Sequence, residues 1–131
     1  MGLLNEADWQ GQWIGLDRPA PGDSETQWSR LAARYLRKEF ALTKEVKRAT
    51  VHIAGMGLYE LFINGQRIGE QVLAPAPTDY RKTILYNTYD VTPQLRKENA
   101  IGVILGNGRF YTMRQNYKPY KIPTSAIPNY A

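Results

Sequence analysis

The sequence predicts an all-β fold, an antiparallel sandwich or partly open barrel, on three observations. Short runs of strand-forming residues recur along the chain, most of them closed by Gly, Pro, Asn or Asp. One of these runs, Leu58 to Gly69, is a hairpin folded about Asn64-Gly65, a pair suited to the two φ > 0 positions of a type I′ turn. No stretch several turns long carries an amphipathic helical pattern, and no repeat period is present. About seven short strands separated by turns suit a sandwich or barrel better than a mixed fold.

Taken in order, Gln12–Gly15 is expected as a short first strand, followed by a polar loop from Asp17 to Trp28 marked by Pro19, Pro21 and Gly22. Arg34–Leu42 alternates Leu36, Phe40 and Leu42 with Tyr35, Arg37 and Glu39, with Lys38 interrupting the apolar set. Ala49, Val51 and Ile53 alternate with Thr50 and His52, a half-buried strand ahead of Gly55 and Gly57. In the hairpin, a two-residue turn makes Ile63 face Gln66, Phe62 face Arg67 and Leu61 face Ile68. Tyr59, Leu61, Ile63 and Ile68 then share a face that can be buried, while Glu60 and Arg67 lie diagonally on the other, within reach of a modest ion pair. The second arm is expected to continue through Val72-Leu73 to Pro75. Thr83–Val91 is a strand rich in Tyr, Thr, Ile and Leu. Thr92-Pro93-Gln94-Leu95 reads as one helical turn, with Thr92 as N-cap and Pro93 at the first helical position. Ala100–Leu105 is apolar enough to be a strand buried on both faces, ended by Gly106-Asn107-Gly108. Pro119, Pro123 and Pro128 break the region after Tyr111, where no strand is placed.

At 131 residues with no apolar run near the ~18–20 residues of a membrane span, the chain reads as one soluble domain with no membrane partner. It has no cysteine, which removes disulfides, thiol nucleophiles and Cys-ligated zinc. Met1-Gly2-Leu3-Leu4 runs at once into Asn5, Glu6 and Asp8 and is no signal-peptide core. The formal net charge of +5 sits wholly in the last third, where Arg96, Lys97, Arg109, Arg114, Lys118 and Lys121 face Glu98 alone. Such a stretch can attract phosphates or an acidic surface, and is more often a solvated face.

His52 is the single histidine, alternating with Val51 and Ile53, so a hydrogen-bonded surface position suits it better than catalysis. No nucleophile elbow or phosphate loop is present, and no clustered carboxylates suggest a metal; no cofactor is implied. Glycoside hydrolysis needs two carboxyl groups about 5–9.5 Å apart. Glu39, Glu60, Asp79 and Asp90 are available, and each has a plainer role: Asp90 and Asp79 accept turn N–H groups, Glu60 lies near Arg67, and Glu39 is solvated. No catalytic residue is assigned. The segment Arg109 to Lys121 interleaves aromatics with cations, which suits stacking on sugar rings or bases, or packing on a neighbouring domain. A free-standing carbohydrate-binding module, or less readily a nucleic-acid-binding one using residues 109–121, is therefore the competing reading.

Set in order, Trp13-Ile14-Gly15, Leu36-Arg37-Lys38-Glu39-Phe40, Ala54-Gly55-Met56-Gly57-Leu58-Tyr59-Glu60, Ile63-Asn64-Gly65-Gln66-Arg67-Ile68-Gly69, Leu73-Ala74-Pro75, Thr78-Asp79-Tyr80, Tyr89-Asp90-Val91-Thr92 and Leu105-Gly106-Asn107-Gly108 resemble the N-terminal domain of bacterial α-L-rhamnosidases, glycoside hydrolase family 78. The resemblance spans about residues 9–123. It implies a jelly-roll β-sandwich of the galactose-binding-like kind, without catalytic residues, that aids substrate recognition or braces the enzyme. The acid and base carboxylates of that family belong to a separate helical-barrel domain of the same polypeptide, the implied partner. Two departures stand out. Glu98 precedes Asn99 where the family usually has Gly, so a different turn is expected there. Residues 124–131 do not follow the family's continuation, which divides the chain into a 1–123 sandwich and an irregular, truncated or altered end.

A sandwich lacking its final strand or strands exposes a sheet edge, and self-association by edge pairing is expected. If the domain touches a glycan, Tyr80, Arg109, Tyr111 and Tyr117 are the expected contacts, tyrosines stacking and arginine bonding hydroxyls. The compartment stays open between bacterial cytoplasm and periplasm.

Overall fold

The computed structural model describes residues 4–15 and 32–110. Six antiparallel strands are present among them: β1 (Arg34–Ala41), β2 (Thr50–Ala54), β3 (Leu58–Ile63), β4 (Gln66–Ile68), β5 (Tyr86–Asp90) and β6 (Glu98–Gly106). They form a four-stranded sheet in the order β1-β6-β3-β4 and a two-stranded sheet, β2-β5. The larger sheet is made almost wholly of long-range pairings; only β3-β4 is local.

The hairpin forms in the predicted register, with Leu61 opposite Ile68, Phe62 opposite Arg67 and Ile63 opposite Gln66. Its turn uses positive φ at both Asn64 (52°) and Gly65 (80°). Tyr59, Leu61, Ile63 and Ile68 are buried, and Leu61 and Ile63 are each only 1% exposed. Burying a side chain of this size stabilises by roughly 1.5–3 kcal/mol. Across β6 the same face continues as Ile101, Val103 and Leu105, and the facing sheet supplies Val51, Ile53, Tyr89 and Val91. That face-to-face packing is the sandwich. On the outer side Arg67 pairs with Glu60 at 3.3 Å, with both side chains exposed.

Several boundaries differ from expectation. Gln12–Gly15 is irregular rather than a strand. The second hairpin arm stops at Ile68, because Gly69, at φ 82°, turns the chain off the strand path; Leu73, at φ 61°, turns it again, and only Ala74 returns to the sheet. Ala74 then accepts a 2.8 Å hydrogen bond from Tyr59 N, an isolated bridge. β5 begins at Tyr86, later than Thr83. β6 is longer than its apolar run and is half-buried rather than buried on both faces. Among the described residues β6 lies beside β1 in a four-stranded sheet, which is wider than the two-stranded sheet facing it.

Thr92 is not the N-cap of the turn Thr92–Gln94. Val91 holds that position with no side-chain cap, so Thr92 is the first residue of the turn and Pro93 the second, one place later than expected. The Thr92 hydroxyl instead extends the β2-β5 pairing, accepting from Ala49 N at 2.9 Å and donating to Asp90 Oδ1 at 2.6 Å. Among the described residues no helix is long and apolar enough to cross a membrane.

Candidate functional site

Three loops meet at one end of the sandwich. The first, Gly55-Met56-Gly57, leads into β3, and the second, Asn107 to Phe110, leaves β6. They touch backbone to backbone: a Cβ on Gly57, whose φ is +131°, would stand 2.4 Å from Gly106 O, and one on Gly108 would stand 2.9 Å from the Gly57 carbonyl carbon. Only glycine allows that approach. The third loop is the turn at Asp79, whose carbonyl accepts from Lys82 N at 2.8 Å and Thr83 N at 2.9 Å. Tyr80, on this turn, packs edge-to-face on Phe110, with ring centroids 5.6 Å apart and planes at 87°.

Tyr80 is half-buried and Arg109, beside Phe110, is exposed. The structure therefore brings two of the four expected sugar contacts to one end of the molecule. Tyr111 and Tyr117 lie outside the described residues. Phe110 is the partner that sequence reasoning did not single out, although it stands in the aromatic-basic run. Asp79 holds Arg81 in a two-pronged contact, Nε to Oδ1 at 3.1 Å and Nη2 to Oδ2 at 3.3 Å. An edge of aromatic rings flanked by guanidinium groups can stack a ring and hold hydroxyls, the chemistry of weak sugar recognition.

The four carboxylates open to a hydrolytic role are all engaged by neighbours. The Arg81 side chain and backbone N–H hold the Asp79 carboxyl below its ordinary value. The Thr92 hydroxyl and N–H do the same for Asp90, at 2.6 and 2.9 Å. A general acid needs the opposite shift. Glu60 pairs with Arg67, and Glu39 with Arg37 on the same exposed strand edge. Among the described residues no three His, Cys, Asp or Glu side chains gather as a metal site.

A second aromatic cluster lies on the outer face of the two-stranded sheet. His52 Nδ1 shares a 2.9 Å hydrogen bond with Thr88 Oγ1, the hydrogen-bonded position expected of it. Tyr86 is flanked edge-on by Trp9, at 5.2 Å, and by His52, at 6.1 Å, and its hydroxyl accepts from Leu4 N at 3.0 Å. This cluster pins the N-terminal segment to the sheet. Contacts between residues so far apart in the chain leave no periodic signal in the sequence.

The family model described as "Alpha-L-rhamnosidase N-terminal domain" matches residues 44–127. An alpha-L-rhamnosidase of Formosa agariphila is 41% identical over 133 residues, covering 90% of this chain and 14% of the relative. Among solved structures, an alpha-L-rhamnosidase from Dictyoglumus thermophilum superposes with a TM-score of 0.71 at 46% identity, covering 86% of this chain and 14% of that one. A native alpha-L-rhamnosidase from Aspergillus terreus superposes at 0.74 with 38% identity, covering 92% of this chain and 13% of the other. The chain thus spans about 14% of the length of the curated relative and carries the antiparallel β-sandwich these enzymes share. By ordered motifs, sheet topology and family match together, it belongs to the alpha-L-rhamnosidase N-terminal domain family.

Proposed function

We propose that this domain is the non-catalytic accessory module of a longer α-L-rhamnosidase, which removes terminal α-L-rhamnose from glycans. The carrying observation is the 14% share of the relative's length, which leaves most of such a polypeptide to supply the chemistry. The engaged state of Asp79, Asp90, Glu60 and Glu39 supports the same division of labour.

Its role is to brace the catalytic helical-barrel domain of the same polypeptide. The exposed apolar side chains Val72 (77%) and Leu73 (69%) support this reading. Leu73 is held at φ 61°, a conformation that costs a non-glycine residue on the order of 1–2 kcal/mol, and presents its side chain outward. A contact with a neighbouring domain offsets that cost. Tyr80, Arg109, Tyr111 and Tyr117 would meet glycan beyond the scissile bond. The domain on its own would also self-associate along β1, which ends the four-stranded sheet among the described residues, and concentration-dependent light scattering reads that association directly.

The test is hydrolysis of an aryl α-L-rhamnoside by this chain and by the full-length polypeptide containing it. We expect turnover from the full-length protein and none above background from the chain. Turnover by the chain alone would overturn the accessory reading.

A further inference from the structure

We propose that Asn64 is a conformationally guarded deamidation site, stable in the folded domain and consumed irreversibly whenever the hairpin opens. Asn-Gly is the dipeptide least able to resist this chemistry, because glycine places no side chain in the way of its own N–H. The Gly65 nitrogen loses its proton and attacks Asn64 Cγ. The Cγ–Nδ2 bond breaks, ammonia leaves with the proton, and an imide ring forms. Water then opens either ring carbonyl–nitrogen bond, leaving aspartate or, with the main chain rerouted through the side chain, isoaspartate. The net change is amide plus water to carboxylate plus ammonium, with no oxidant or reductant.

Steric shielding does not protect this bond, since nothing lies within 4 Å of the open side of Gly65. The guard is the carboxamide's own hydrogen bonding. Asn64 Nδ2 donates to Gln94 O at 2.8 Å and to Asn99 Oδ1 at 3.0 Å, and Asn64 Oδ1 accepts from Ala100 N at 2.8 Å. Both protons of the leaving nitrogen and the carbonyl oxygen are committed, one proton to the Thr92–Gln94 turn and the other two groups to the start of β6. Asn99 is itself buried and fixed, accepting from Arg96 N at 2.8 Å and donating to Arg96 O at 2.7 Å. To reach Gly65 N the carboxamide must turn away from all of these partners, so reaction waits on local opening.

The product cannot be accommodated as the reactant was. An aspartate oxygen replacing Nδ2 faces two acceptors, Gln94 O and Asn99 Oδ1, with no proton to share. Isoaspartate adds a backbone atom to a two-residue turn and shifts the register of β3 against β4. Each unfolding episode thus risks a chain that refolds less well.

The experiment holds the full chain in mildly alkaline buffer with and without denaturing urea and follows the peptides bearing Asn64 and Asn107 by mass spectrometry. Asn107-Gly108 is a second Asn-Gly pair and serves as a chemical clock in the unfolded arm. We expect both to react at similar rates in urea, and Asn64 to react at least about tenfold slower when folded, the factor being its opening equilibrium. Equal folded and unfolded rates at Asn64 would overturn the proposal. Asn64→Asp should lower the urea midpoint of unfolding at neutral pH, and an unchanged midpoint would show that the damage is harmless. If that variant does not fold, the two-arm rate comparison on the native chain still decides.

Discussion

Asn64 does more at the residue scale than supply a left-handed turn. Its side chain ties the hairpin tip to the start of β6, and its backbone N–H donates to Ala100 O at 2.8 Å. Tyr59 plays a similar part inside the sandwich. Its ring is in the core, and its hydroxyl accepts from Asn87 Nδ2 at 2.8 Å and lies 3.4 Å from Ile53 O, linking β3 to both strands of the opposite sheet. Tyr59→Phe keeps the ring and leaves the Asn87 donor without this acceptor. A loss of about 1–3 kcal/mol is expected by urea titration. Burial also pushes the Tyr59 hydroxyl well above its ordinary value of 10.0. The folded state therefore holds that proton more tightly than the unfolded one, so stability is intact below pH 10.0 and falls as pH rises beyond it. Tyr59→Phe should flatten that alkaline decline, and an equal decline in both proteins would place the cause elsewhere.

The element scale shows where sequence patterns suffice. The β3-β4 hairpin was legible to the residue, because Asn-Gly chemistry and alternation with period 2 specify turn and register locally. The end of β4 is not legible, since Val72 and Leu73 have strand propensity, whereas positive φ at Gly69 (82°) and Leu73 (61°) takes the segment off the sheet. Thr92 departs from its pattern for a related reason: Thr before Pro is a capping pattern, yet its hydroxyl is recruited by Ala49, a residue in a distant segment. Gly57→Ala sets a Cβ 2.4 Å from Gly106 O at a φ of +131°, and thermal melts should show a large loss of stability. Gly65→Ala, with open space but φ +80°, should lose only about 1 kcal/mol. For Asp90, the Thr92 hydrogen bonds depress the folded-state carboxyl below 3.8. That contribution is present above pH 3.8 and disappears as pH falls through the lower folded value. Asp90→Asn should make the acid limb of a stability-pH profile shallower.

Across the whole molecule, the hydrophobic layer between the two sheets holds the fold together. Leu61→Ala removes a side chain that is 1% exposed at its centre, and an unfolding loss of about 2–5 kcal/mol is expected. In a full-length α-L-rhamnosidase the same substitution should shorten the half-life of activity on heating while leaving initial turnover near its starting value. A proportionate loss of turnover at low temperature would instead give this domain a direct part in catalysis.

The sequence alone determined the all-β class, the hairpin and its register, the plain roles of His52, Glu60, Asp79 and Asp90, and the family, because each rests on local spacing or on ordered motifs. Only tertiary structure decided which strands pair across the chain, that Phe110 rather than solvent meets Tyr80, and that Tyr86 gathers Trp9 and His52. The physical reason is range. A turn or an alternating strand is set by neighbours in the chain, whereas sheet order and aromatic partners depend on contacts that exist only once the two layers close.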